Sequence, residues 1–208
     1  MKKTVFLMLA LIAALPLCSY SQQSGAFVGA LGLGITSAQG DFSNTQFFSA
    51  GGGSGFEGEL RFYLLNGFAI GGMVNYMRFG STYSTIKGRP SYNFSQLGGT
   101  GRLNLFGVGS GSLFVYGGGG VFTPNAHFYV PDNSIDEPAD KSGTFYFGGL
   151  GLVSRPDQKV LYELEMRYNA GRADYTLDNG NFSNVWDFIY VGVKLGFASK
   201  GKEAPPKY

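Results

Sequence analysis

Two short rows of glutamate and arginine carry the side chains best suited to chemistry. In each row two glutamates and one arginine occupy alternate positions: Glu57, Glu59 and Arg61 in the first, and Glu163, Glu165 and Arg167 in the second. Alternate residues of a β-strand point to the same face, so each carboxylate pair could divide acid and base roles in a proton transfer. Because an arginine follows on the same face, ion pairing explains the rows more simply.

The only histidine, His127, stands apart from these rows, and its immediate neighbours include no nucleophile that it could activate. The acidic stretch 132–140 lacks the alternating ligands and the central glycine of a calcium loop. Cys18 is the only cysteine, and it lies in the N-terminal segment. We therefore predict that the chain has no catalytic residue, no cofactor and no metal site. We also predict that it is not an enzyme.

Eight segments alternate apolar and polar or small residues with the period of a β-strand. They span residues 26–36, 55–64, 68–78, 92–106, 113–122, 144–153, 160–168 and 186–197. Segment 55–64 shows the pattern most clearly, since Phe56, Leu60 and Phe62 share one face and the first charged row occupies the other. Segments 113–122 and 144–153 are rich in glycine, and the pattern does not decide which of their faces points outward.

The connections alternate in length along the chain. Long polar stretches at 39–54, 80–91, 123–143 and 169–185 follow the odd-numbered segments, and short turns at 65–67, 107–112 and 154–159 follow the even-numbered ones. This rhythm is typical of outer-membrane barrels, which have short periplasmic turns and long external loops. It predicts an all-β fold, an eight-stranded antiparallel transmembrane β-barrel with up-and-down meander topology.

A soluble β-sandwich or lipocalin-like barrel is the alternative. Charged residues make up only 14% of the chain, against about 25% in typical soluble proteins. A soluble barrel would need more charge than this on its strands, so the composition favours an exterior that faces lipid.

The first residues resemble a cleaved export signal. Lys2 and Lys3 precede an apolar run from Val5 to Leu17 that is too short to span a bilayer, and small residues at 19 and 21 suit a signal peptidase. We predict a signal peptide at 1–21, a barrel at 22–197 and a short periplasmic tail at 198–208. A lipoprotein signal at Cys18 is the alternative. Without the leader the balance is 14 basic against 14 acidic residues, which argues against a nucleic-acid partner.

In such a barrel the charged rows face the lumen. With the inward positions of two further segments, we predict a lumen charge network of four acids and four bases: Glu57, Glu59, Glu163, Glu165, Arg61, Arg102, Arg167 and Lys194. Eight strands enclose only enough space for side chains, and an unpaired buried charge is costly. The network is interpreted as a structural set of ion pairs, and the alternative is that the pairs rearrange to pass small ions.

Taken together, these segments and connections resemble the small outer-membrane β-barrel family typified by the barrel of outer membrane protein A. The resemblance covers about residues 26–197 and rests on architecture, so it brings no functional residues with it. It implies location in the outer membrane of a Gram-negative cell. It also implies contact with outer-membrane lipid and lipopolysaccharide, and insertion by the barrel-assembly machinery.

The leading functional hypothesis is a non-enzymatic barrel that contributes to envelope integrity and presents its external loops for adhesion or for an external ligand. The loop aromatics expected to be exposed are Phe42, Phe47, Phe48, Phe128 and Tyr129, and an interfacial girdle is expected at Tyr76, Tyr92, Tyr168 and Trp186. A narrow porin-like channel is the second hypothesis. A lipid A-modifying enzyme that uses His127 is the third.

Overall fold

The computed structural model describes residues 24–43, 50–81, 92–108, 111–130, 135–139, 141–154, 159–177 and 180–199. The predicted signal peptide and most of the predicted tail lie outside these ranges. Within them the strands are β1 Phe27–Gln39, β2 Ala50–Leu65, β3 Phe68–Ser81, β4 Tyr92–Val108, β5 Gly111–Val130, β6 Ile135–Ala139, β7 Gly143–Ser154, β8 Val160–Leu177 and β9 Gly180–Ala198. A single-turn 3-10 helix spans Gly40–Phe42 and follows β1.

The sheet closes on itself. Each barrel strand pairs antiparallel with the next along the chain, in the order β1-β2-β3-β4-β5-β7-β8-β9. β9 then pairs with β1 over the whole stretch from Val28 opposite Ala198 to Gln39 opposite Asp187. Closure leaves no barrel strand with an open edge along its shared length, as a wall surrounded by hydrocarbon requires. The predicted eight-stranded antiparallel meander is confirmed.

The short strand β6 does not add a ninth strand to the wall. β7 pairs with β5 up to Gly143 opposite Phe122, and β6 continues in the same register with Ala139 opposite Ala126. β6 and β7 therefore follow one another along the same side of β5, and residues 141–142 belong to neither strand.

Two connections that were predicted as loops are largely strand. The stretch 123–143 contains the β5–β6 hairpin, and the stretch 169–185 contains the ends of β8 and β9, paired up to Leu177 opposite Gly180. The sequence prediction was wrong here because it relied on apolar alternation. Strands that extend past the apolar wall keep their hydrogen bonds without needing an apolar face.

The barrel has two unlike ends. The turn end carries residues 24–26, 66–67, 159 and 199, together with the end of β4, the start of β5 and the end of β7. The loop end carries the 3-10 turn, the start of β2, the end of β3, the start of β4 and the far ends of the paired strands β5–β6 and β8–β9. These names are used below.

The outer surface of the wall is apolar. Leu33, Ile35 and Leu60 are each more than 60% exposed, and the outward positions of the other barrel strands carry similar side chains. The structure also assigns the faces of the two glycine-rich strands, since Val121 of β5 and Tyr146 of β7 point outward. Among the described residues, no helix has the length and hydropathy needed to cross a membrane.

An apolar exterior of this kind is suited to contact with the hydrocarbon of a membrane. A charged side chain on it should therefore destabilise the barrel more near the middle of the wall than at its edge. Leu33→Arg, in the middle of β1, is expected to destabilise the barrel in lipid vesicles by about 2–4 kcal/mol. The same change at Leu65, the last residue of β2 at the turn end, should cost about 1 kcal/mol or less. Both leucines are more than 60% exposed, and urea unfolding compares the two variants. Equal costs at both positions would contradict a lipid-facing wall.

Candidate functional site

The alternation of the strands brings the eight predicted charged residues into the barrel. β2 and β8 each supply three of them, and β4 and β9 supply one each. All eight are buried, with exposures of 6% or less. A side chain that is charged and removed from both water and lipid needs opposite charge and hydrogen bonds around it, and the interior supplies both.

Near the turn end, one carboxylate is shared between two arginines. Arg61 donates to both oxygens of Glu163, with Nη1 3.0 Å from Oε2 and Nη2 2.5 Å from Oε1. Arg102 donates from Nη1 to Oε2 of the same glutamate at 2.8 Å, and its guanidinium carbon lies 3.5 Å from the centre of the Phe114 ring. Planar guanidinium groups suit this two-point pairing and ring stacking.

In the middle of the lumen, the ammonium group of Lys194 is surrounded by carboxylates. Its Nζ lies 2.9 Å from Glu59 and 2.9 Å from Glu165, and it also pairs with Glu57. Arg167 pairs with Glu57 and lies 3.8 Å from Glu165. This central group holds three acids and two bases.

The two groups of charges are joined into one network. Arg61, which pairs with Glu163, also lies 3.5 Å from Glu59 of the central group. The connected set therefore holds four acids and four bases, and its formal charge is zero. The sequence predicted these residues, but it did not show which acid would meet which base.

A glycine on β1 allows the central pairing to form. Gly32 lies opposite Lys194 on one side and opposite Glu57 on the other, so the lysine must cross β1 to reach β2. A Cβ at this glycine would lie 2.6 Å from Cγ of Lys194, closer than such atoms can approach. Because Gly32 has no side chain, the side chain of Lys194 has room to pass over β1 and reach its carboxylates.

At the loop end the lumen is filled by aromatic rings. Phe79, Phe94 and Phe188 form mutual contacts with ring centres 5.3–5.4 Å apart. Trp186 lies 6.0 Å from Phe94 and 6.0 Å from Phe122. All of these rings are at most 1% exposed, so an apolar aromatic layer covers the charged network.

Three aromatic predictions were wrong. Tyr92 and Trp186 were expected in an interfacial girdle and Phe42 on an exposed loop, but all three are buried at the loop end of the lumen. Tyr76 and Tyr168 do lie on the outer surface, about half exposed. Extending the alternation of β4 and β9 outward in steps of two would have placed Tyr92 and Trp186 inside. Nothing in the sequence indicates that the side chain of Phe42 points into the lumen.

The predicted candidate for a catalytic base is the only histidine of the chain. His127 lies on β5 opposite Pro138 of β6, and its side chain is outside the described part of the structure. No set of three or more histidine, cysteine, aspartate or glutamate side chains in the described ranges lies close enough to hold a metal ion. The expectations of no enzymatic activity and no metal stay predictions.

The backbone arrangement matches solved bacterial barrels. Over 84% of its length the chain superimposes on Neisserial surface protein A, covering 97% of that chain with a TM-score of 0.54 and 13% identity. OprG from Pseudomonas aeruginosa matches over 88% of this chain and all of its own, with a TM-score of 0.56 and 10% identity. No protein-family model and no curated protein matches the sequence.

A third similar structure was solved with a ligand. Ail, the attachment invasion locus protein of Yersinia pestis, was crystallised in complex with the heparin analogue sucrose octasulfate. It matches 84% of this chain and all of its own, with a TM-score of 0.51 and 16% identity. At such identities the agreement concerns the fold, which is that of the small eight-stranded outer-membrane barrels.

The shared carboxylate makes the network sensitive to a neutral substitution. Glu163→Gln leaves two buried arginines without their common partner, which is expected to destabilise the barrel by about 3–5 kcal/mol. The matched control is Asp187→Asn, which removes a 2.6 Å pair with Arg172 that is partly exposed and should contribute about 1 kcal/mol or less. Urea unfolding followed by the emission of Trp186 measures both.

A compensating variant separates charge balance from packing. Glu163→Gln combined with Arg102→Met restores a neutral interior, and it should recover part of the stability lost by Glu163→Gln alone. If the double variant is less stable than the single one, pairing with Glu163 is not what makes Arg102 tolerable in the lumen.

Proposed function

We propose that this chain, which has the fold of the small eight-stranded outer-membrane barrels, is a non-conducting protein of the bacterial outer membrane that acts through its loop end. The observation that carries the proposal is the neutral, fully buried network of eight charges across the lumen. The aromatic layer between this network and the loop end supports it. A barrel filled in this way stabilises the envelope and presents surface structures, and it needs no open pathway to do either.

The proposed orientation follows the lengths of the connections. The turn end lies in the periplasm and the loop end outside the cell, as in barrels with short periplasmic turns and longer external loops. Export by the predicted signal peptide 1–21 and insertion by the barrel-assembly machinery belong to the same proposal. The apolar wall would then contact lipid in both leaflets and lipopolysaccharide in the outer one.

The narrow channel is the second candidate, and the chemistry of the interior speaks against it. An ion that entered the central group would have to separate Lys194 from three carboxylates within a lumen already filled by side chains. It would also have to pass the aromatic layer, which offers no charged group. Buried pairs that lose a partner cost several kcal/mol, so passage would require a rearranged barrel.

Electrical recording tests the closed lumen directly. The refolded mature chain is expected to leave a planar lipid bilayer silent, while the mobility difference between boiled and unboiled samples shows that it is folded. Steady conductance that changes on Lys194→Met would contradict the proposal and identify a narrow pore.

The charges of the loop end indicate which partners it suits. The connections 39–54, 80–91, 123–143 and 169–185 contain seven acidic residues, Asp41, Asp132, Asp136, Glu137, Asp140, Asp174 and Asp178. They contain four basic residues, Lys87, Arg89, Lys141 and Arg172. An acidic surface attracts basic partners and repels polyanions. The loop end is therefore better suited to bind a basic protein than a sulfated sugar.

This charge balance gives an expectation for sulfated sugars. At physiological salt the folded chain in detergent is expected to pass through immobilised heparin without retention, because a net negative loop end repels sulfate groups. Retention that is lost at higher salt would show that the four basic residues outweigh the acidic ones and would contradict the assignment. The denatured chain serves as a control for binding that does not depend on the fold.

A further inference from the structure

The apolar outer wall ends at the same height on three neighbouring strands. Along β3 the outward side chains pass from Val74 through Tyr76 to Arg78 toward the loop end, and all three are exposed. The outward positions paired with them change from aliphatic to polar in the same steps, with Leu97, Ser95 and Asn93 on β4 and Val121, Thr123 and Asn125 on β5. This change marks the level at which the hydrocarbon of a membrane gives way to polar headgroups.

Arg78 brings a positive charge to this level. Within the described ranges no acidic side chain pairs with it, and its neighbours across the sheet are the neutral residues Ser54 and Asn93. The other outward arginine at the loop end of the described wall is Arg172 on β8, which donates to Asp187 at 2.6 Å. β3 and β8 lie on opposite sides of the ring of eight strands. Of the two arginines, therefore, only the one on the β3 side is available to a ligand.

A hollow in the outer surface begins one outward position below this arginine. It has a volume of about 450 Å³ and is lined by residues of β2, β3, β4 and β5. Ser95 contributes the smallest side chain of the lining and lies between Tyr76 and Thr123 on the paired strands. A second hollow of about 650 Å³ adjoins the first at Val74 and Leu97, which line both. Together they form a concave apolar surface that extends from the polar boundary toward the turn end.

The second hollow does not result from close packing within the wall. Gly72 of β3 forms part of its lining, and a Cβ at this glycine would meet only the carbonyl oxygen of Gly98, at the ordinary distance of 3.7 Å. An alanine would therefore fit. Glycine weakens the interior of a strand, and it often marks a place where a ligand approaches the backbone closely.

We propose that the two hollows bind acyl chains of lipid A, the phosphorylated anchor of lipopolysaccharide, and that Arg78 binds one of its phosphate groups. The inference rests on the proposed function, because it requires the loop end to lie on the side of the outer leaflet. Guanidinium groups form strong charge-assisted hydrogen bonds with phosphate. A phosphate at this height lies within the polar boundary of the wall, and chains that leave it toward the turn end enter the hollows.

The charge and the hollows select different parts of the same ligand. A neutral lipid would fill the hollows and leave Arg78 without an acceptor at the edge of the hydrocarbon, where an uncompensated charge is costly. A free phosphate ion would meet the arginine and leave the hollows to other chains. On the opposite side of the barrel, Arg172 is already neutralised by Asp187. We therefore assign one lipid A to the side formed by β2–β5.

Native mass spectrometry of the refolded chain in detergent counts the bound lipid molecules and gives their dissociation constant. The probe is lipid A with both phosphates, and the matched probes are the same lipid A without phosphates and phosphatidylglycerol. The mobility shift on boiling confirms that each variant is folded. Binding in detergent does not depend on whether the lumen conducts, so a failure of this site and a failure of the proposed function are distinguishable.

Two pairs of variants test the charge and the hollow separately. Arg78→Gln should raise the dissociation constant of lipid A about tenfold or more, since hydrogen bonds to charged groups are the stronger ones, and Arg78→Lys should retain most of the affinity. Arg172→Gln is the matched control, because this arginine is paired with Asp187. Ser95→Leu fills the upper hollow and should also weaken binding. Ser37→Leu on β1, at an exposed serine outside both hollows, should not.

We expect one lipid A per chain, bound saturably, with a loss of affinity when either its phosphates or the charge of Arg78 is removed. Equal weakening by Arg78→Gln and Arg172→Gln would overturn the proposal, because it would show a diffuse attraction. Equally tight binding of phosphatidylglycerol would assign the site to a phospholipid and overturn the proposal as well. Unchanged affinity in Ser95→Leu would show that the acyl chains lie elsewhere. A folded chain that binds none of the probes saturably would show that this wall has no lipid site.

Discussion

The narrowness of an eight-stranded lumen is the constraint on which the interior depends. Eight strands enclose only the volume of their own inward side chains, so every charged group inside must find its partners among the other inward residues. Glu163 pairs with two arginines, one on β2 and one on β4, and Lys194 pairs with three glutamates, two on β2 and one on β8. Space for such long side chains comes from glycine, as at Gly32, where the side chain of Lys194 passes over β1 inside the lumen.

A charged interior also fixes which face points inward in the strands that carry the charges. Side chains alternate along a strand, so a shift of one residue in register exchanges its two faces. If both faces of a strand were apolar, either could face lipid, and the sequence would only weakly specify which face points inward. In β2 and β8 a shift of one residue would expose two glutamates and an arginine to lipid, and that cost excludes the alternative. The buried charges thus contribute specificity to the fold even where their net contribution to stability is small.

The sequence predicts most reliably where the two faces differ most in chemistry. Alternation of leucine or phenylalanine with glutamate and arginine gave the location of β2 and β8 and the inward direction of their charges. It failed for β5 and β7, because glycine occupies both of their faces, and for the hairpins beyond the wall, where no face must be apolar. The pairing of particular acids and bases depends on which strands lie across the lumen from one another, and alternation along single strands does not contain that information.

The two layers of the interior place different demands on the chain. In the charged layer each side chain depends on others through directed contacts, so replacing one member disturbs several partners. The aromatic layer is held by ring packing, which is less directional, and one of its members, Phe42, comes from outside the wall. A change at the loop end can therefore alter the aromatic layer without separating any ion pair below it. The interior is thus divided into a layer held by directed ion pairs and a layer held by ring packing.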